Sequence, residues 1–290
     1  HTHWLFKTLN LMLLTLLKVK QFMLFNLIDT LNLPFLRFQT IIWNEHIGKG
    51  ATGEVYKCIY NSNECIAKCF YLKDYYNEKG LQYDVYSELS IYSKLKHVSC
   101  ISEIVGYSYC EKKEYICILM KYYSSINLDD FIQKNDLNSK EKLDLMLKLA
   151  YGLKEIYDRG IIHCDIKPQN IIYLKDKCIY IDFGVSTHIS KNEIEESLGT
   201  EGYMSEELDY GYAYHKSDIY SLGVTFIEIW MKDIWCKKNT YRKDVLFSLH
   251  KIKKENLLLG KILSNCISTE MNKRPKINTL IKHLENLKLI

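Results

Sequence analysis

Between Ile41 and Phe70 apolar and polar residues alternate in three short runs, Ile41 to Ile47, Glu54 to Tyr60 and Glu64 to Phe70. A glycine-rich turn separates the first two and Asn61-Ser62-Asn63 the last two. Period-two alternation bounded by Gly and Asn predicts antiparallel strands joined by hairpins. The period then changes. Val85, Leu89, Tyr92 and Leu95 recur at helical spacing within Tyr83 to Lys96, and two more strand patterns follow near Ile104 to Tyr109 and Tyr115 to Met120. The first part of the chain reads as a small sheet with one prominent helix.

After about Tyr123 the pattern is helical. Asn138 and Glu141 form a capping-box pair ahead of Leu143, Met146, Leu147, Ala150, Leu153 and Tyr157, which predicts a long amphipathic helix. Ser217 to Met231 is apolar on nearly every face, as expected of a helix buried in the middle of a lobe, and its fifteen residues are too few to cross a bilayer. Further helices are expected over Tyr241 to His250, Asn256 to Ile267 and Lys276 to Leu287. No internal repeat or low-complexity linker interrupts the pattern. The expected fold is α+β and two-lobed. A small mainly-β lobe covers about 39–120, a connection lies at 121–123, and a larger mainly-α lobe covers 124–290, with a cleft between the lobes.

Residues 1–38 stand apart as a leader. They are rich in Leu and Phe, but Lys7, Lys18, Lys20, Asp29 and Arg37 interrupt them, so the uncharged runs Thr8 to Leu17 and Gln21 to Ile28 have only ten and eight residues. A bilayer-spanning helix needs about 20, and membrane contact through the leader is not expected. The chain opens on His rather than Met, as a fragment or a piece of upstream translated sequence would. Three readings of the leader stay open: an amphipathic helix docked on the domain, an interfacial anchor, or sequence that is not part of the domain.

At 290 residues the chain can bury a full core as one large domain or two lobes. A net charge of +4 from 39 basic and 35 acidic residues demands neither a nucleic-acid nor a membrane partner, and none is expected. The ten cysteines are scattered, with no C-x-x-C and no zinc-ligand spacing, which points to reduced thiols and a cytoplasmic or nuclear protein.

Gly48-Lys49-Gly50-Ala51-Thr52-Gly53, with Val55 after it, fits G-x-G-x-x-G, where bare backbone amides can approach a polyphosphate. A strand follows rather than a helix, which removes the dinucleotide-binding reading. Ala67-Lys68 lies on the third strand, and Glu88 on the helix after it. Downstream, His163-Cys164-Asp165-Ile166-Lys167-Pro168-Gln169-Asn170 is followed twelve residues after its Asn by Asp182-Phe183-Gly184, a spacing that leaves room for a short hairpin. These groups suit phosphoryl transfer: a carboxylate for a hydroxyl proton, a Lys for a phosphoryl group, and an Asn and an Asp for a metal.

Together these motifs resemble the eukaryotic protein kinase family over about residues 41 to 287. The resemblance implies that Asp165 is the catalytic base, that Lys167 touches the transferring phosphate, and that Asn170 and Asp182 hold Mg²⁺. It implies ATP contacts from Ile47, Gly48, Lys49, Gly50, Ala51, Thr52, Gly53, Val55 and Ala67, with Lys68 on the α/β-phosphates and Glu88 holding it. At Met120-Lys121-Tyr122-Tyr123, where the lobes connect, the carbonyl of Lys121 and the amide of Tyr123 would bond the adenine edge and Met120 would border its pocket. Glu207 and Arg274 would pair, and Asp218 would brace the catalytic loop. Lys167, together with Thr200 after Gly199, is similar to the Ser/Thr branch, which implies a protein Ser/Thr substrate.

Three positions depart from the family pattern. Cys164 replaces the Arg that normally pairs with a phosphate on the activation segment, which argues against that switch and leaves Glu193, Glu195 and Glu196 as a solvated charge run. Glu206 replaces a Pro, and His97-Val98-Ser99-Cys100 lacks one. None of these removes a group implied to touch ATP or metal. Alternatives to a Ser/Thr kinase are a pseudokinase-type nucleotide-binding scaffold and a kinase of small molecules; the segment from Gly199 to Glu207, which shapes a peptide-binding surface, counts against the latter.

Overall fold

The computed structural model describes residues 24, 26–50, 53–71, 85–110, 112, 115–191, 193, 199–235 and 241–289. It divides into two compact units, one of residues 1–96 with 103–122 and the other of 97–102 with 123–290.

In the first unit, strands β1 (Ile42–Gly50), β2 (Gly53–Tyr60), β3 (Asn63–Tyr71), β4 (Ile104–Cys110) and β5 (Tyr115–Lys121) form one antiparallel sheet in the order β1-β2-β3-β5-β4. Helix α1 (Val85–Lys94) is shorter than the predicted Tyr83 to Lys96 because residues 83 and 84 lie outside the described ones and Leu95 and Lys96 form a turn. Period-two alternation sorts β3 into two faces. Cys65, Ala67 and Cys69 point into an apolar cluster with Cys58, Cys117, Leu119, Tyr115, Leu36 and Ile41, and Lys68 points the other way. The thiols here act as small core side chains.

The second unit is mostly helical: α2 (Leu128–Lys134), α3 (Ser139–Tyr157), α4 (Glu206–Asp209), α5 (His215–Met231), α6 (Tyr241–Glu255), α7 (Leu257–Cys266) and α8 (Ile277–Lys288). The predicted capping box starts α3, with Asn138 accepting from the Glu141 amide at 3.0 Å and Glu141 accepting from the Asn138 amide at 2.8 Å. Every residue of α5 from Ser217 to Trp230 is buried, so the helix forms the unit's core. Helix α6 runs on to Glu255, past the His250 expected from the sequence, because Ile252 continues its buried face. Two short ladders complete the unit: β6 (Ile161–Ile162) with β9 (Thr187–His188), and the expected hairpin β7 (Ile171–Tyr173) with β8 (Cys178–Tyr180).

Residues 97–102, which fall within the stretch assigned from sequence to the first lobe, pack with the helical unit. Ser99 donates its amide and hydroxyl to Glu155 at 3.0–3.1 Å, and the Tyr180 amide donates to the Cys100 carbonyl at 2.8 Å. The described residues of the leader, 24 and 26–38, pack on the sheet unit, with Leu24 and Ile28 at 2% and 0% exposure. No described helix is long and apolar enough to cross a membrane.

Candidate active site

In the sheet unit the β1–β2 hairpin stays paired to its tip, Gly48 opposite Val55, Lys49 opposite Glu54 and Gly50 opposite Gly53; Ala51 and Thr52 lie outside the described residues. The glycines of this loop differ in what fixes them. A Cβ on Gly53 would sit 2.4 Å from the carbonyl oxygen of Cys69, so the sheet itself forbids a side chain there, whereas a Cβ on Gly48 would meet nothing within 4 Å. Packing does not explain a bare backbone at Gly48. Ile47 and Lys49 are exposed and Val55 is half-buried.

Lys68 pairs across the ladder with Val55 on β2 and Ile118 on β5, which pins its backbone, while Ala67 beside it is buried in the cluster. The Lys68 ammonium donates to both oxygens of Glu88 at 2.9 and 3.0 Å, and both residues are buried. Glu88 sits in the first turn of α1, where the helix dipole favours a carboxylate. A buried pair of this kind is costly to break, because either partner left alone is an uncompensated charge. At the end of β5, Met120 is 8% exposed, and the Lys121 and Tyr122 amides donate to the carbonyls of Glu103 and Glu64. Tyr123 begins the helical unit and is half-buried.

In the helical unit the loop from His163 to Asn170 gathers four polar side chains. Asp165 Oδ1 accepts from the Thr200 hydroxyl at 2.6 Å, and its Oδ2 accepts from Asn170 Nδ2 at 2.7 Å and lies 3.0 Å from Lys167 Nζ. Lys167 also donates to Thr200 Oγ1 at 2.5 Å, and Asn170 Nδ2 to the Asp165 carbonyl at 2.9 Å. The amide nitrogen of Asn170 is thus committed to Asp165, and its side-chain oxygen is the atom it can offer a cation. Asp182 is exposed, with the left-handed φ of 63° that Asp tolerates better than most residues. The Ile181 amide donates to the Asn170 carbonyl at 3.0 Å, so the hairpin ties the two candidate metal residues together. Among the described residues no group of three or more His, Cys, Asp or Glu forms a closed metal cage. Mg²⁺ does not need one, since it binds through one or two carboxylates plus substrate phosphates. Asn170 and Asp182 fit that requirement.

Asp218, in the first turn of α5, supports this loop from below. Its carboxylate accepts from the amides of His163 at 2.8 Å and Cys164 at 2.9 Å. Burial pushes its pKa up to about 7 against the pull of those two amides. The same anchoring holds Cys164 at a φ of 67°, and its thiol, raised well above the usual range by burial, packs with Ile162, Leu208 and Ala213. An apolar cluster therefore occupies the place where the family carries an Arg. His163 is fully buried, which lowers its pKa; its ring lies 4.8 Å from that of Phe183, with Nε2 directed at the Ile181 carbonyl and Nδ1 accepting from the Asp165 amide.

Glu207 and Arg274 form the expected pair, a two-pronged contact at 2.5 and 3.0 Å, although Glu206 stands in the Pro position and opens α4. Glu193 is exposed and bridges to Tyr212 through its backbone; Glu195 and Glu196 lie outside the described residues. Two further contacts have little or no local signal in the sequence. The Thr200 hydroxyl reaches Asp165 from 35 positions away, signalled only by the Gly-Thr pair. Buried Glu228 accepts from the Tyr203 hydroxyl at 2.5 Å, and burial lifts its pKa to about 7; no local pattern marks that contact.

The protein kinase domain family matches residues 42–284, and the chain belongs to that family. It is 30% identical over 258 residues to the serine/threonine-protein kinase MPS1 of Encephalitozoon cuniculi, covering 82% of this chain and 42% of that protein. It is 29% identical over 259 residues to the probable serine/threonine-protein kinase fnkE of Dictyostelium discoideum, covering 84% and 19%. A PR5-like receptor kinase of Arabidopsis thaliana is 31% identical over 199 residues, covering 63% and 29%. The chain thus spans less than half the length of each of these relatives.

Proposed function

We propose that this chain is an ATP- and Mg²⁺-dependent protein serine/threonine kinase that transfers the γ-phosphoryl group of ATP to a Ser or Thr hydroxyl of a protein. The observation that carries the proposal is the convergence of Thr200, Lys167 and Asn170 on the carboxylate of Asp165. Asp165 orients the acceptor hydroxyl and takes its proton, while Lys167, already beside that carboxylate, offers its charge to the phosphoryl group in flight. A loose phosphoryl-transfer transition state is stabilised mainly by such positioning and charge neutralisation.

Bound Mg²⁺ would neutralise charge on the β- and γ-phosphates, with Asn170 and Asp182 as its protein ligands. Lys68, held by Glu88, serves the α/β-phosphates, and the open backbone at Gly48 admits the polyphosphate. The Lys121 carbonyl and Tyr123 amide serve the adenine edge, beside Met120. The names of the MPS1 and fnkE relatives support the Ser/Thr assignment. The scattered spacing of the ten cysteines favours a cytoplasmic or nuclear setting, and no nucleic-acid or membrane partner is proposed.

Purified protein with labelled ATP, Mg²⁺ and dephosphorylated casein should transfer phosphate, and Asp165→Asn or Lys68→Met should reduce transfer to background. Equal signals from wild type and both variants would refute the catalytic assignment. Thermal stabilisation by ATP without turnover would identify a nucleotide-binding scaffold instead, and transfer to small alcohols but never to protein a small-molecule kinase.

A further inference from the structure

The family match begins at residue 42, and the proposed chemistry uses nothing before Ile47. Residues 26–36 are nonetheless tied into the sheet unit at two places. The first is β4. Phe35 bridges to Tyr107 in parallel, the Leu36 amide donates to the Tyr107 carbonyl at 2.8 Å, and the Tyr107 amide donates to the Pro34 carbonyl at 2.9 Å. The Tyr107 hydroxyl donates to Asp29 Oδ1 at 2.6 Å, and the Ser108 hydroxyl to the Leu36 carbonyl at 2.8 Å. A Cβ on Gly106 would fall 2.4 Å from the Pro34 carbonyl oxygen and 2.9 Å from Leu36 Cγ, so β4 lacks a side chain where the segment crosses it.

The second place is α1, where the Ser93 hydroxyl donates to the Leu31 carbonyl at 2.9 Å. Leu24, Ile28, Leu33 and Leu36 are all buried. The segment therefore links β4, held in the five-stranded sheet, to the helix that carries Glu88. A ten-residue helix is marginal by itself, so its pose is set by what it packs against. Because Glu88 and Ser93 belong to one short rigid helix, a shift at Ser93 is felt at the 2.9 Å contact between Glu88 and Lys68.

We propose that residues 26–36 are a strap that positions α1, and with it Glu88 against Lys68, so that Ser93 and Tyr107 are positioning residues for phosphoryl transfer. This rests on the kinase reading for its effect on turnover, but not for its effect on the helix.

The test compares the full chain with Ser93→Ala, Tyr107→Phe, their double variant and Gly106→Ala. Hydrogen exchange is read over residues 26–36, 85–94 and, as an internal reference, 139–157; kcat and KM are read with ATP and dephosphorylated casein. In the double variant, exchange should quicken over 26–36 and 85–94 and stay unchanged over 139–157. Its kcat should fall by about five- to tenfold with KM for casein unchanged, the population shift expected from losing one or two hydrogen bonds. Gly106→Ala should do the same by steric displacement; if it fails to fold, the hydroxyl deletions still decide the matter.

Release of 26–36 with wild-type exchange over 85–94 and wild-type kcat would overturn the proposal. So would wild-type protection of 26–36 in all variants, since these contacts would then not be what holds the segment. If the wild type transfers no phosphate, the kinase reading falls, and exchange over 85–94 alone decides whether the strap positions α1.

Discussion

Replacing Arg274 with Met should destabilise the helical unit by about 3–5 kcal/mol, the cost of breaking a buried ion pair by removing one partner. The Arg274 side chain is fully buried. Its two terminal nitrogens grip Glu207 at 2.5 and 3.0 Å, Nη1 also donates to the Lys216 carbonyl at 2.9 Å, and Nε donates to the Ser268 carbonyl at 2.8 Å. Without it, Glu207 keeps only the Ser205 and Ser217 hydroxyls, each at 2.8 Å, and two backbone carbonyls lose a donor. Met fills much of the space, so the loss is electrostatic rather than a cavity. For a chain of this size about 2–4 °C of Tm corresponds to each kcal/mol, so calorimetry should show a fall of about 6–20 °C. Adding Glu207→Leu removes the stranded carboxylate, and apolar replacement of a whole buried pair is often near neutral. The double variant should therefore melt above Arg274→Met alone. A single variant melting within about 2 °C of wild type, or a double variant equal to the sum of the two singles, would refute this reasoning.

Thr200→Val deletes the hydroxyl shared by Asp165 and Lys167, and loss of a hydrogen bond to charged groups, about 1.5–3 kcal/mol, should lower kcat by about 10- to 160-fold. Thr200→Ser should retain most activity, and equal rates for Val and Ser would remove Thr200 from the site. Burial holds the pKa of both Asp218 and Glu228 up to about 7, above their ordinary values of 3.8 and 4.5. Their contribution to stability is therefore full below about pH 4 and is lost as pH rises towards 7, so chemical denaturation across that window should show a decline that Glu228→Gln partly flattens. Gly53→Ala should lower Tm, because its Cβ meets the Cys69 carbonyl. Gly48→Ala should leave Tm unchanged and weaken ATP binding measured by calorimetric titration.

The features legible in the sequence were those whose cause is local. Strand alternation, the Asn138–Glu141 capping box and the apolar run of α5 each depend on neighbours within a turn or two, and the structure reproduces them within a few residues. The candidate chemical residues came from a different source: the resemblance to the protein kinase family, which implies roles for Lys68, Asp165, Asn170 and Asp182 in that order and at a spacing that admits one hairpin. Short elements were missed. The seven-residue α2 and the two-residue strands β6 and β9 are too brief for any period to show.

By itself the sequence determined the class of fold and the side chains available for chemistry, because backbone periodicity and motif spacing are written in consecutive residues. Only the tertiary structure decided the meetings that no motif marks. It brought Thr200 to Asp165 across 35 positions, and Ser93 and Tyr107 to the leader across 62 and 78. It also turned Cys164 from a missing Arg into a member of an apolar cluster. Such contacts arise where burial of remote apolar surface brings polar groups together and obliges them to pair, and no local pattern encodes that meeting.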